Sequence, residues 1–181
     1  MRTDSRRAVF FDRDGTLMEE VHYCSDPALV RVFSGVPDAL RRLKAAGWLV
    51  VVITNQSGIG RGLISEAQYQ AVHEEFLRQA GPEWIDDTYY CPDAPGVPST
   101  CRKPEPGMVL AAAADHHIDL STSYFVGDKS ADIECGRRAG THTVLVLTGY
   151  GAEQRCTADL TCKDAVAAAE WVLATMPSLP A

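Results

Sequence analysis

The feature that most constrains this chain is an alternation. Short, continuous apolar runs occur at Ala8–Phe11 and Trp48–Ile53, and further strand candidates at Ile85–Tyr90, Tyr124–Val126 and His142–Leu147. Between them lie segments whose apolar residues recur at helical spacing. A strand whose residues are apolar on both faces must be covered on both faces, and the architecture that does this is a mostly parallel sheet flanked by helices. The helices read as follows. Val36–Ala46 has Pro37 in its first turn and Gly47 at its stop. A second follows the capping box formed by Ser65 and Gln68, with Tyr69, Val72, Phe76 and Leu77 on one face. Pro106 to about Ala114, Ser130–Ala139 and the Ala-rich Lys163–Met176 complete the set. The expectation is a doubly wound, Rossmann-like α/β fold in one domain over residues 1–181.

Composition narrows the class. The chain has 181 residues, 46% hydrophobic and 23% charged, enough to bury a core. Its net charge of −7 argues against a general nucleic-acid binder, which needs positive surface to displace counterions. No segment approaches the ~20 apolar residues of a membrane helix. The apolar part of the N-terminus, Ala8–Phe11, is too short for an export signal. The six cysteines form no CxxC pair, so reduced thiols in the cytoplasm are expected. A monomer, acting away from nucleic acid and membranes, is the corresponding expectation for partners.

In doubly wound sheets ligands sit beyond the carboxyl ends of the strands. Each notable polar cluster falls just there: Asp12-Arg-Asp14-Gly-Thr16, Thr54-Asn-Gln-Ser-Gly58 and Gly127-Asp128-Lys129-Ser-Ala-Asp132. An acidic pair such as Asp12 and Asp14 is often only a helix cap or a solvated turn. Asp128 adds a third carboxylate, and three converging acids repel unless a cation joins them. Mg²⁺, a hard ion that takes oxygen ligands and keeps several waters, fits that need. With a hydroxyl from Thr54 and a cation from Lys103, the set suits phosphoryl transfer.

These residues resemble the haloacid-dehalogenase-like (HAD) phosphatases along nearly the whole chain. The pieces occur in that family's order: Phe-Phe-Asp12-Arg-Asp14-Gly-Thr-Leu, Ile-Thr54-Asn, Arg102-Lys103-Pro and Val-Gly-Asp128-Lys129-Ser-Ala-Asp132. The resemblance implies that Asp12 is the nucleophile, Asp14 the acid and base, and Thr54 and Lys103 the phosphoryl holders. It implies Mg²⁺ on Asp12, the Asp14 carbonyl and Asp128. The runs Thr54-Asn55-Gln56-Ser57-Gly58 and Cys101-Arg102-Lys103-Pro104-x-Pro106-Gly107-Met108 are similar to the branch holding heptose 1,7-bisphosphate and histidinol-phosphate phosphatases. That branch implies a small sugar-phosphate substrate, with the 7-phosphate of the heptose as the group removed and histidinol phosphate as the alternative. Implied substrate contacts are Glu20, Val21, His22, Tyr23, Asn55, Gln56, Ser57, Arg102 and Lys129, beside Thr54 and Lys103.

Spacing adds that no large cap is expected. The 39 residues between Asp14 and Thr54, and the 48 between Thr54 and Lys103, are mostly used by a helix and a strand each. The same branch implies a zinc site of the form Cys-x-His…Cys-x-Cys between the third strand and Lys103. Here Cys91, Asp93 and Cys101 remain, with Asp93 at the histidine position and Ser99 at the third. A structural zinc normally has four N or S ligands, so zinc is expected to be absent or weakly held. A phospho-accepting receiver domain also joins acids, Mg²⁺, Thr and Lys on such a sheet. Asp14, a leaving-group acid, has no use in a receiver. Trp48, Trp171 and a hydrogen-bonded His73 are expected as structural residues, and His116-His117 at a helix end. Asp132 reads equally as a helix-end charge or as an organiser of Lys129 or of the metal shell.

Overall fold

A computed structural model describes residues 5–175 of the chain. Six strands form one parallel sheet in the order β3-β2-β1-β4-β5-β6: β1 Ala8–Phe11, β2 Leu49–Asn55, β3 Asp87–Cys91, β4 Tyr124–Gly127, β5 His142–Val146 and β6 Leu160–Cys162. The helices are α1 Val36–Ala45, the single turn α2 Ser57–Gly60, α3 Glu66–Ala80, α4 Gly107–His116, α5 Ser130–Ala139 and α6 Ala165–Ala174.

The apolar runs pack as expected of strands covered on both faces. All four residues of β1 are fully buried, and alternate side chains serve opposite layers. Val9 and Phe11 join Leu40 and Leu43 of α1, Val72 and Phe76 of α3, and Ala168 and Val172 of α6. Ala8 and Phe10 join Met108, Val109 and Ala112 of α4 and Cys135 of α5. The capping box at Ser65 and Gln68 forms. Gly47 and Gly140 take the left-handed backbone past the ends of α1 and α5.

Several elements differ from the sequence reading; β3, for one, covers Asp87–Cys91 and not Ile85–Tyr90. β2 runs on through Thr54 and Asn55, because β3 pairs Tyr90 with Thr54 and Cys91 with Asn55. β6 lacks the apolar run that would announce it; it is pinned by pairing with β5. α6 ends at Ala174, and the expected end at Met176 lies outside the described residues. Trp171 on α6 is 38% exposed, not core. That helix is apolar on every side, so periodicity could not say which face turns inward. His73 is buried, yet its Nδ1 has no partner among the described residues, contrary to the expected hydrogen-bonded histidine.

The chain changes direction across the sheet at β1. β2 and β3 lie on one side of it, β4 to β6 on the other. In register, Phe11 pairs with both Val52 and Val126. Asp12 and Asp128, just past the ends of β1 and β4, and Thr54, near the end of β2, therefore stand at neighbouring points, which is where such sheets open a crevice. Between β1 and α1, residues 12–35 carry only a 3₁₀ turn and isolated bridges, and residues 92–106 carry no regular element. No cap domain stands over the strand ends among the described residues.

Candidate active site

The floor of the crevice is a buried charge cluster. Asp12 is 4% exposed and Asp128 fully buried. Carboxylate oxygens of Asp12, Asp128 and Asp132 all lie within 4.8 Å of one another. Lys103 enters from the opposite loop and spends its three donors here: on Asp12 Oδ1 at 2.7 Å, Asp132 Oδ1 at 2.7 Å and the Ile53 carbonyl at 2.8 Å. Burial works against the Lys103 charge, but Asp12 and Asp132 together hold its pKa above the ordinary lysine value. Burial also pushes Asp12 up, and at this carboxylate it outweighs the attraction of Lys103. Both partners are thus raised: Lys103 by its two carboxylates, and Asp12 chiefly by burial, with Asp132 and Asp128 opposing the pull of Lys103 and Lys129. A divalent cation against Asp12 and Asp128 would reverse that balance toward the ionised form.

The donor set fits such a cation. Asp128 Oδ2 accepts the Tyr150 backbone N–H at 2.8 Å, while Oδ1, also buried, has no partner among the described residues. A buried carboxylate oxygen without a donor is costly unless something else takes it. The backbone is shaped around this group: a Cβ on Gly15, at φ +88°, would lie 2.4 Å from Asp128 Oδ2, and one on Gly149 would lie 2.2 Å away. Glycine is required at both positions.

Asp14 stands on the wall above. Its Oδ2 accepts from Gln56 Nε2 at 2.9 Å and from Thr54 Oγ1 at 3.4 Å, and Arg13 donates to both of its oxygens. Burial favours the neutral carboxyl, yet Arg13 and then Gln56 hold Asp14 below the usual carboxylate range. Asp12, Asp14, Thr54, Lys103, Lys129 and Asp132 surround a small chamber of about 50 Å³. It adjoins a wider cleft of about 250 Å³ that shares Asp14, Asn55 and Lys129. Glu20–Tyr23 form one wall of the cleft, Asn55–Ser57 the other, and Lys129 and Tyr150 close its end.

The structure therefore brings together the four expected reaction residues and most of the expected contacts. Several contacts have further duties. Asn55 grips the Lys103 backbone both ways, Nδ2 donating to its carbonyl at 3.2 Å and Oδ1 accepting its N–H at 3.0 Å. Lys129 pairs with Glu20 at 3.0 Å and lies over the Tyr150 ring. Arg102 does not line the cleft. It lies on the rim, its Nη1 donating to the Asp93 carbonyl at 3.1 Å, with Arg61 and Tyr23 close enough to affect its charge. Sequence reasoning passed over Arg13 and Tyr150. It left Asp132 open, and the structure ties Asp132 to Lys103 and, through Oδ2, to the Lys129 N–H at 2.9 Å.

The expectation of reduced thiols fails at two positions. Cys91 and Cys101 are paired as a disulfide, with Cα atoms 5.6 Å apart. Cys91 is the last residue of β3, and the loop returns to it because Gly107 N–H donates to the Thr100 carbonyl. Spacing of ten residues carried no sign of that return. Asp93 Oδ2 and Ser99 Oγ each lie 3.4 Å from Cys101 Sγ. With both sulfurs bonded to each other and only a carboxylate and a hydroxyl beside them, this group does not fit zinc.

Comparison with known proteins agrees with this geometry. A family model described as HAD-hydrolase-like matches residues 100–172. The chain is 39% identical to the D-glycero-D-manno-heptose-1,7-bisphosphate 7-phosphatase of Thermosynechococcus vestitus, over 92% of this chain and 95% of that one. It is 38% identical to D-glycero-beta-D-manno-heptose-1,7-bisphosphate 7-phosphatase of Escherichia coli (strain K12), over 96% and 91%. Among solved structures, D,D-heptose 1,7-bisphosphate phosphatase of B. bronchiseptica, in complex with magnesium and phosphate, superposes with a TM-score of 0.86 at 31% identity, covering 94% of this chain and 99% of that one. No helix among the described residues is long and apolar enough to cross a membrane.

Proposed function

The chain belongs to the heptose-1,7-bisphosphate 7-phosphatase family of HAD-like hydrolases, and from that membership we propose that it removes the 7-phosphate of D-glycero-D-manno-heptose 1,7-bisphosphate, through a phosphoryl intermediate on Asp12. Phosphatase activity follows from the family. The observation that carries the residue roles is the convergence of Asp12, Asp14 and Lys103 on the small chamber at the foot of an open polar cleft, with the Asp128 carboxylate within 4.8 Å of that of Asp12. A phosphoryl group fills the chamber, and the sugar lies in the cleft.

In the first step an Asp12 carboxylate oxygen attacks phosphorus and the bond from phosphorus to the sugar oxygen breaks. Asp14 gives its proton to that oxygen, since an alkoxide is a poor leaving group. The arriving phosphate dianion favours the proton on Asp14, opposing the pull of Arg13. In the second step water attacks phosphorus, its proton passes to Asp14, and inorganic phosphate leaves Asp12 unmodified. Lys103 and Thr54 supply donors to the phosphoryl oxygens. Asp12, Asp128 and the Asp14 carbonyl would hold Mg²⁺, which supplies charge that lets an anionic nucleophile approach an anionic ester. The orphaned Asp128 oxygen supports that assignment.

A panel of phosphate esters, each assayed with Mg²⁺ and with excess chelator, tests the reading. Heptose bisphosphate should be the preferred substrate, and phosphorus NMR should show loss of the 7-phosphate with the 1-phosphate retained. Preference for histidinol phosphate, release of the 1-phosphate, or full activity in chelator would overturn the corresponding part.

A further inference from the structure

Among the fully buried side chains Arg13 is the largest, at 1% exposure, and it carries a charge that the mechanism above does not use. A guanidinium taken out of water needs a partner in good geometry, and an apolar side chain of similar size would pack the same space without that need. The partner is Asp14. Arg13 Nε donates to Asp14 Oδ2 at 3.1 Å and Nη2 donates to Oδ1 at 3.2 Å, so that each carboxylate oxygen is gripped by its own N–H. This is the two-point fork that fixes a carboxylate in orientation as well as position.

The rest of Arg13 is held just as firmly. Its carbonyl accepts the N–H groups of Thr16, Leu17 and Met18 at 2.9–3.3 Å, which anchors the backbone directly after β1. Its guanidinium lies 5.4 Å over the ring of Tyr69, a buried residue of α3. Nη1 has no partner among the described residues. The fork is therefore clamped between a fixed turn and a fixed aromatic face. Gln56 and Thr54 reach Oδ2 from the β2 side, while Oδ1 is held by Arg13.

We propose that Arg13 is the positioning residue of the acid–base group, holding the Asp14 carboxyl in the orientation from which it exchanges a proton with the sugar oxygen. The proposal rests on the reading of Asp14 as acid and base. Misplacing a reacting group by about 1 Å costs on the order of 100-fold in rate. Loss of the fork acts on the proton transfers made by the Asp14 carboxyl and leaves Asp12, Lys103 and Asp128 in place.

The test compares Arg13→Lys and Arg13→Met with Asp14→Asn on two substrates, heptose bisphosphate and an activated aryl phosphate whose leaving group needs little protonation. Asp14→Asn should slow phosphorylation of the enzyme far more with the sugar ester than with the aryl ester, while the hydrolytic step common to both is slowed alike. The Arg13 variants should show the same selectivity: kcat on the sugar ester reduced roughly 10- to 100-fold, KM nearly unchanged, and phosphorylation of the enzyme by the aryl ester close to normal. Arg13→Met placed in the Asp14→Asn background should add almost nothing, because the group it positions is gone. Equal losses in the phosphorylation step with both esters, or losses that multiply in the double variant, would make Arg13 a purely structural residue and overturn the proposal. If Arg13→Met does not fold, Arg13→Lys, which keeps the buried charge without the fork, decides by the same readouts. Should Asp14→Asn show no preference between esters, the acid–base reading fails and the proposal falls with it. Selectivity at Asp14 without selectivity at Arg13 defeats the proposal alone.

Discussion

The floor of the cleft and its rim are built on opposite principles. On the floor, Asp12 and Asp128 just past strand ends, Asp132 in the first turn of α5 and Lys103 on its loop are all buried, and each ion pair there is shielded from water. On the rim, Glu20, Lys129, Arg102 and Tyr150 are carried by loops or, in the case of Lys129, the residue just before α5, and are partly exposed. Floor interactions are strong and unforgiving, because removing one partner strands the other out of water. Rim interactions are weak singly and easily re-formed, which suits residues that must exchange partners for a substrate. On the proposed reading, the chemistry falls to the buried part and substrate choice to the exposed part.

The comparison breaks most sharply at Asp12. Asp12→Asn keeps the shape of the floor but lacks the nucleophile, so turnover with every ester should vanish, in a continuous phosphate-release assay. Residual activity on the preferred substrate above a tenth of normal would contradict the role. Next come the two lysines. Lys103→Met should destabilise the fold by about 3–5 kcal/mol, since Asp12 and Asp132 are left facing each other. Lys129 is 38% exposed in its pair with Glu20, and Lys129→Met should cost less than about 1 kcal/mol. Urea denaturation of both variants reads the difference, and equal costs would erase the distinction between floor and rim.

Arg102 gives a smaller, substrate-specific effect. As a fork on the rim beside Arg61, it suits a second phosphate. Arg102→Ala should lower kcat/KM for the bisphosphate by roughly 1.5–3 kcal/mol, and much less for a monophosphate without the distal group. The same loss for both would make it a structural loop residue.

How far each region was legible in the sequence follows the same division. Asp12, Thr54 and Asp128 could be placed because each follows an apolar strand, and parallel register alone brings strand ends together. Lys103 was within reach through its Arg-Lys-Pro context, but its three-way grip on Asp12, Asp132 and Ile53 was not. The rim depends on returns of the chain that leave no periodic trace. The Cys91–Cys101 pairing, the seat of Tyr150 over Lys129 and the neighbourhood of Arg61 and Arg102 all arise from loop packing across the fold. Arg13 was hidden differently: a charged residue between two acids reads as solvated, and only burial against Tyr69 shows otherwise.

A further effect separates fold from site. Burial holds His73 on α3 down at about 4. The unfolded chain therefore takes up a proton first as pH falls, and stability is lost from about pH 6.5 downward until the folded-state value is passed. Between pH 7 and pH 4.5 this amounts to roughly 2 kcal/mol. His73→Leu should flatten that part of the decline in urea midpoints while leaving kcat at pH 7 within twofold. An unchanged slope would mean that His73 titrates as freely in the folded protein as in the unfolded chain.

The central claim is that phosphoryl transfer passes through Asp12 on the floor. Asp14→Asn should slow the hydrolytic second step, so rapid acid quench of this variant with an activated aryl phosphate, followed by peptide mapping, reads the intermediate directly. The account predicts a phosphoryl adduct on the peptide containing Asp12, formed at the rate of the aryl burst and absent when Asp12→Asn is added. An adduct on another residue, or turnover with no adduct on any residue, would contradict it.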